Sequence, residues 1–198
     1  MTRRQHGFNL IEVMVTLTVL AVLISLGAPG FSEWLKSLRV RASTEAITNG
    51  MQVARGEAIR RNLAVSFGLA LPPTTAWTVC EATVSPCDST TPAANVIQSK
   101  SFQEGSGAAN TTTIPTGANV TATPAGATLV TFSPLGNVID NPDGTSRLTQ
   151  VDVSYPPEVC SADGGSMRCL RIVVSPAGSI RACDPTPTIV APDPRVCP

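Results

Sequence analysis

From Val13 to Ser32 the chain runs for 20 residues without a charge, VMVTLTVLAVLISLGAPGFS. At about 1.5 Å per helical residue such a run spans roughly 30 Å, the thickness of a bilayer core. A secretory signal peptide would carry a shorter apolar region of about 7–15 residues and an A-x-A-like cleavage site after it. Neither is evident here, so the run reads as a retained membrane anchor. Arg3 and Arg4 precede it, while Lys36, Arg39 and Arg41 follow it, so counting flanking cations does not orient the segment. The cysteines do so better. All six lie beyond residue 71 in a loop-rich region, which suits an oxidising compartment. The C-terminal part is therefore expected outside the cytoplasm and the short Arg-containing tail inside.

The rest of the composition is as uneven as the anchor implies. Of 198 residues only 14% are charged, with 14 Lys+Arg against 14 Asp+Glu, which argues against a strongly basic nucleic-acid protein. Sixteen of the 17 prolines also follow residue 71, implying many turns there. The sole histidine, His6, lies in the N-terminal tail, so histidine-based catalysis is not expected.

Glu12 is out of place inside LIEVMVTL, because an unpaired carboxylate within a membrane costs at least about 2 kcal/mol. One reading puts it at the cytoplasmic interface, reaching water; another gives it a partner. The segment RRQHGFNLIEVMVTLTVLAVLISLGAP resembles the N-terminus of type IV prepilins and type II secretion pseudopilins: a short basic leader, Gly, Phe, a small polar residue, two apolar residues, Glu, then a long apolar helix. The resemblance implies that a prepilin peptidase cuts after Gly7 and methylates the new amine of Phe8. It also implies that Glu12 pairs with the N-terminal amine of a neighbouring subunit, a desolvated pair whose best-attested use is to set register. Asn9 stands where the family more often has threonine. Pro29 and Gly30 fall where related pilins carry a helix-loosening proline, which removes a backbone hydrogen bond.

The next segment, 31–61, places Val40, Ile47, Met51, Ala54 and Ala58 on one helical face. Ser32 and Glu33 would start this helix if the chain breaks at Pro29, and Asn62 would stop it. Lys36, Arg39, Arg41, Arg55, Arg60 and Arg61 outnumber Glu33, Glu45 and Glu57. That stripe is either a phosphate-binding surface or a solvated face that meets headgroups near its start and packs on a domain farther along. ARGEAIRRN, residues 54–62, is similar to the AR-x-EAI-x-RN helix end of minor pilins and pseudopilins of the GspH/FimT type. LVTFSPLGNV, from Leu129, and LRIVVSPAGSIR, from Leu170, also look like that family. The resemblance implies an α+β, pilin-like fold: a long N-terminal helix, half anchor and half amphipathic, packed on antiparallel sheet, with a disulfide-containing head. The chain divides accordingly into a cleaved leader (1–7), a transmembrane or filament-core helix (8–30), the amphipathic helix (31–61) and an extracytoplasmic β-rich domain (62–198).

Residues 62–198 are enough for one modest core. Strands are predicted at 63–71, 76–80, 95–102, 128–133, 136–140, 148–155, 169–175 and 178–183, with hairpin-like SPLGN and SPAGS between the members of two pairs. Residues 103–127 read as a flexible loop of low complexity. Six cysteines permit 15 pairings, and sequence does not choose among them. The sequential set is the expectation: Cys80 with Cys87, Cys160 with Cys169, Cys183 with Cys197. No CxxC is present and no histidine follows residue 6, so a metal site is not expected, nor is any cofactor.

No catalytic constellation emerges, since a serine nucleophile would lack its usual activating base and no phosphate-binding glycine motif follows a strand. The chain is read as a non-enzyme. Some FimT-like minor pilins bind DNA through a C-terminal G-R-x-R; here Gly178, Ser179, Ile180 and Arg181 keep the second arginine alone. Arg168 and Arg171 are nearby substitutes for phosphate contacts, or else they pair with Asp163 and Asp184. Residues 62–198 carry a net charge of −4, so a DNA site would be a local patch. Three functions stay open: a minor pilin that enters or primes a type IV pilus, a DNA-binding module displayed on that pilus, and an H-type pseudopilin of a type II secretion system. The expected partners are prepilin peptidase, other pilins or pseudopilins, the bacterial inner membrane and, on the second reading, DNA. The expected location is the inner membrane, single-pass, with the C-terminal domain in the periplasm, and then the pilus or pseudopilus.

Overall fold

A computed structural model describes residues 9–70, 74–83, 86–88, 91–101 and 117–198. It divides into two compact units, Met1–Leu35 and Lys36–Pro198. One helix, α1 (Leu10–Arg61), supplies most of the first unit and the first element of the second. The expected restart at Ser32 or Glu33 does not occur: helix assignment continues through residues 26–33. Among the described residues no single helix is long and apolar enough to cross a membrane. The pieces Leu10–Ser25 and Gly30–Arg61 meet that requirement together. Asn62 ends the helix in the left-handed region (φ 54°), with the Leu63 amide returning to the Ala58 carbonyl at 3.3 Å.

Nine strands form two antiparallel sheets. The first holds β1 (Val65–Leu69), β2 (Trp77–Glu81), β3 (Val96–Lys100), β5 (Leu129–Phe132) and β6 (Val138–Ile139) in the order β3-β2-β1-β5-β6. The second holds β4 (Asn119–Thr123), β7 (Gln150–Ser154), β8 (Leu170–Val174) and β9 (Ile180–Cys183) in the order β4-β7-β8-β9. Each of the eight predicted strands overlaps one of these. The exception is β4, which lies within the stretch read as a loop. Val120 and Ala122 are buried and alternate with exposed Thr121 and Thr123, pairing with Val153 and Val151 of β7. Its small residues and the neighbouring Gly and Pro masked that period of two. Residues 103–116 of the stretch lie outside the described residues.

The amphipathic face of α1 closes the core. Val40, Ile47, Met51, Ala54 and Ala58 are each at most 1% exposed, packed in one cluster with Phe67, Trp77, Val130 and Phe132 of the first sheet and Val151 and Ile172 of the second. Gly50 permits this approach, because a Cβ there would lie 2.8 Å from a Phe67 ring carbon and 2.9 Å from Trp77. Central strand β1 is buried throughout. The Ser66 hydroxyl meets that of Thr131 at 2.9 Å, and Thr131 donates to Asn141 Oδ1 at 3.0 Å. Their partners keep these buried hydroxyls from being left unsatisfied.

Two hairpins with nearly the same sequence, SPLGN (133–137) and SPAGS (175–179), also share a backbone geometry. In each, the first serine amide reaches the last residue's carbonyl at 2.9 Å and the glycine amide returns to the serine carbonyl at 2.8 Å. Gly136 and Gly178 have φ of +79° and +78°. One hairpin belongs to each sheet, and the two dock on each other. The Val138 amide donates to the Pro176 carbonyl at 3.0 Å, and a Cβ on Gly178 would stand 1.9 Å from the Gly136 carbonyl oxygen. Arg55 of α1 donates from Nε to that same oxygen at 3.0 Å. Helix, first sheet and second sheet are thereby joined at one point.

Candidate assembly segment and candidate nucleic-acid interface

The apolar N-terminal segment has no core of its own. Leu10, Ile11, Val13, Met14, Val15, Leu17, Val19, Leu20, Val22, Leu23 and Ile24 are all 44% or more exposed. Its hydroxyls are satisfied locally: Thr16 donates to the Val13 carbonyl at 2.9 Å, and Thr18 and Ser25 donate to Val15 and Val22 at 2.8 Å. Such back-bonding leaves an all-apolar exterior that water does not favour. Glu12 sits in the first turn of α1, where the helix macrodipole stabilises a carboxylate. It is exposed, and among the described residues it has no ion-pair partner. Gly7 and Phe8 lie outside the described residues.

The helical cations beyond residue 35 are mostly occupied by their own chain. Lys36 meets Glu158 at 2.6 Å. Arg39 donates to the Tyr155 hydroxyl at 2.9 Å with its guanidinium 5.9 Å from that ring's centre. Arg55 holds Gly136, and Arg60 and Arg61 both pair with Glu57, Arg61 also reaching Glu81 at 3.1 Å. Arg60 foremost, then Arg61, pulls the Glu57 carboxyl down to a pKa of about 2. Only Arg41 of the six is exposed without a contact of this kind among the described residues. The stripe therefore serves mainly to fasten helix to head and to complement the helix C-terminus. Among the described residues the stripe leaves no continuous phosphate-binding surface.

The three arginines considered for DNA separate in the same way. Arg171 pairs with Asp152 at 2.6 Å, and Gln150 bonds the other Asp152 oxygen at 2.6 Å. Arg168 pairs with Asp184 at 2.6 Å. Asp184 was the expected partner for one of them, but Asp152 takes the place expected of Asp163, because it lies opposite Arg171 in the β7–β8 register. Arg181 on edge strand β9 is exposed and has no such partner among the described residues. Opposite Val173, it shares the outer face of the second sheet with Arg171. Sequence reasoning grouped the three arginines by nearness in the chain and passed over Arg55. The signal for Arg55 was its place on a helix facing two repeated S-P-x-G turns.

Three disulfides stabilise the head: Cys80–Cys87, Cys160–Cys169 and Cys183–Cys197. The last holds the terminal segment against β9, where the Asp184 amide donates to the Arg195 carbonyl at 2.8 Å. Asp184 is the buried anchor of that corner, its side chain 2% exposed. Burial pushes its carboxyl up, but hydrogen bonds from the Thr186 hydroxyl and amide and from Arg168 outweigh burial and hold it below its ordinary value of 3.8. A carboxyl depressed by folding contributes stability above its unfolded pKa and loses it as pH falls through the folded one. Asp184→Asn is therefore expected to lower stability by about 1–2 kcal/mol at pH 7, discounted for the exposed Arg168 side. The gap to wild type should close on acidification well below pH 3.8. Thermal melts across that range check this; a gap independent of pH would contradict it.

The family profile described as type II transport protein GspH matches residues 43–178. The chain belongs to the GspH family. A second profile, the prokaryotic N-terminal methylation motif, matches residues 2–28 of this GspH-family chain. That motif implies processing by prepilin peptidase and assembly among pilins or pseudopilins, with a prepilin-like helix suited to membrane anchoring. The family consists of structural pilin subunits rather than known enzymes. No curated protein sequence matches the chain. Among solved structures it is similar to the type IV minor pilin FimU of Pseudomonas aeruginosa (strain PAO1) in two crystal forms. One is 20% identical, with TM-score 0.46, covering 72% of this chain and 86% of that one. The other is 17% identical, with TM-score 0.45, covering 72% and 90%.

Proposed function

We propose that this chain is a minor pilin-like subunit that enters or primes a type IV pilus. On this reading prepilin peptidase cleaves after Gly7 and methylates Phe8, and Glu12 then pairs with a neighbouring subunit's amine. The observation that carries the reading is the exposed apolar helix, Leu10–Ile24, beneath the methylation motif. An apolar helix face left exposed among the described residues needs a bilayer or like helices around it. The test is mass spectrometry of sheared filaments: a chain beginning at methylated Phe8 supports the proposal, and an intact Met1 leader in assembled filaments sinks it. The matched profile, a type II transport protein, favours one alternative: an H-type pseudopilin in a short periplasmic filament. Co-purification of secretion rather than pilus components with the full-length protein from cell membranes would select it.

A contribution to DNA uptake is the finer part of the proposal, and it narrows to Arg181, with Arg171 beside it already paired. One or two phosphate contacts predict a slope of log K against log salt of about −1 to −2, of which Arg181→Ala removes about one unit. Titration of the detergent-solubilised chain with duplex DNA at several salt concentrations reads this directly. Absence of binding, or an Arg181→Ala slope equal to wild type, rules DNA out.

A further inference from the structure

We propose that Asp152 holds Arg171 back as a latent phosphate contact, so that the outer face of the second sheet presents one arginine to DNA where its geometry carries two. This rests on the DNA reading of Arg181 above and names the residue that limits it. Arg181 stands opposite Val173 of β8, and Arg171 is two residues away on that strand. The two arginines are therefore diagonal neighbours on one face, about 7–8 Å apart at the backbone. Phosphates follow one another about every 3.4 Å along one strand of a duplex, so two long side chains at that spacing reach phosphates of a single strand together.

What separates the two arginines is charge and not burial. Arg171 has 32% of its side chain exposed, and its one polar contact among the described residues runs from Nε to Asp152 Oδ1 at 2.6 Å. Its two terminal nitrogens make no hydrogen bond among those residues. The guanidinium is open to solvent but neutralised by the carboxylate opposite it on β7. Gln150 donates from Nε2 to the other Asp152 oxygen, Oδ2, at 2.6 Å, which fixes that carboxylate in place. Arg168 differs. Its partner Asp184 is buried and takes two further bonds from Thr186, so releasing Arg168 strands a buried charge. Asp152 is 31% exposed, and a partly solvated pair of this kind adds little to stability. Neutralising Asp152 therefore releases Arg171 at small cost to the fold.

The test is fluorescence-anisotropy titration of the full-length, detergent-solubilised chain with a short labelled duplex DNA at several salt concentrations. Asp152→Asn is expected to steepen the slope of log K against log salt by about one unit, the mark of one added phosphate contact. Arg171→Gln placed in that variant should take the added unit away again. Glu45→Gln adds the same charge on the exposed side of α1, whose other side packs on the inner faces of the sheets, and should leave the slope as in wild type. Asp152→Ser is measured alongside, with thermal melts of every variant, so that a folding defect in one does not decide the result. A slope equal to wild type in the Asp152 variants overturns the inference and leaves the Arg181 reading standing. An equal gain from Glu45→Gln, which assigns the effect to net charge alone, or a gain that survives Arg171→Gln, overturns it as well. Binding by Asp152→Asn through Arg171 where wild type does not bind overturns the Arg181 reading and supports Asp152 as the residue that withholds. Absence of binding by every variant overturns both.

Discussion

Gly178→Ala is expected to destabilise the head by about 3–5 kcal/mol, combining about 1–2 kcal/mol for a non-glycine residue at positive φ with overpacking that the site cannot relax. The added methyl would stand 1.9 Å from the Gly136 carbonyl oxygen. That oxygen is backbone, already held by Arg55 at 3.0 Å, so relief requires moving one hairpin off the other and separating the two sheets locally. Gly136→Ala should do less, about 1–2 kcal/mol, because its contacts are the ends of two long side chains, Ile59 at 3.0 Å and Arg55 at 3.1 Å. Ala177→Ser, on the exposed tip of the same turn, should stay within about 0.5 kcal/mol of wild type. Thermal melts of the detergent-solubilised chain order the three. For a protein of this size the first should lose roughly 10 °C in Tm, and a Gly178→Ala protein melting with wild type would mean that the hairpins do not dock.

Glu12→Ala is expected to remove the subunit from filaments while leaving its processing and its head intact. Breaking a desolvated ion pair by deleting one partner costs about 3–5 kcal/mol, which corresponds to about a hundredfold or greater loss of incorporation. The side chain is exposed, and among the described residues it has no ion-pair partner to lose within its own chain. Melting of the head should therefore be unchanged, and Phe8 should still be the first residue of the membrane-extracted chain. Quantitative mass spectrometry of sheared filaments against membranes measures the ratio. Glu12→Gln keeps the size but not the charge and should fail similarly; incorporation of either variant at wild-type level would refute the pairing.

The sequence made the helix face legible because burial there follows a single period: the five residues expected on it are all buried, and Ser43, Thr44 and Gly50 are buried with them. Strands with branched residues between turn signals were equally readable. β4 was not, since alanine and threonine among glycines carry little strand preference, and its burial depends on β7 supplying the partner row. Likewise the two S-P-x-G hairpins were visible singly, but their contact joins residues 136 and 178 through tertiary geometry. Charge was the least legible quantity. A stripe of six cations could be read as a phosphate-binding surface or as a solvated face packing on the head, and the fold spends five of them on Glu158, Tyr155, Gly136, Glu57 and Glu81. Arg171 faces Asp152 only because two strands are adjacent in the sheet.

The three disulfides close loops of 7, 9 and 14 residues, and none of them reaches α1. Tension applied along a filament would therefore enter the head through noncovalent bonds and the single peptide connection after Arg61. The helix could be peeled from the sheets under load by releasing Lys36 and Arg39 and then Arg55, while each cross-linked loop kept its local form. A head built this way yields at its seam with the helix before its strands come apart, and on release the same polar contacts are there to be remade.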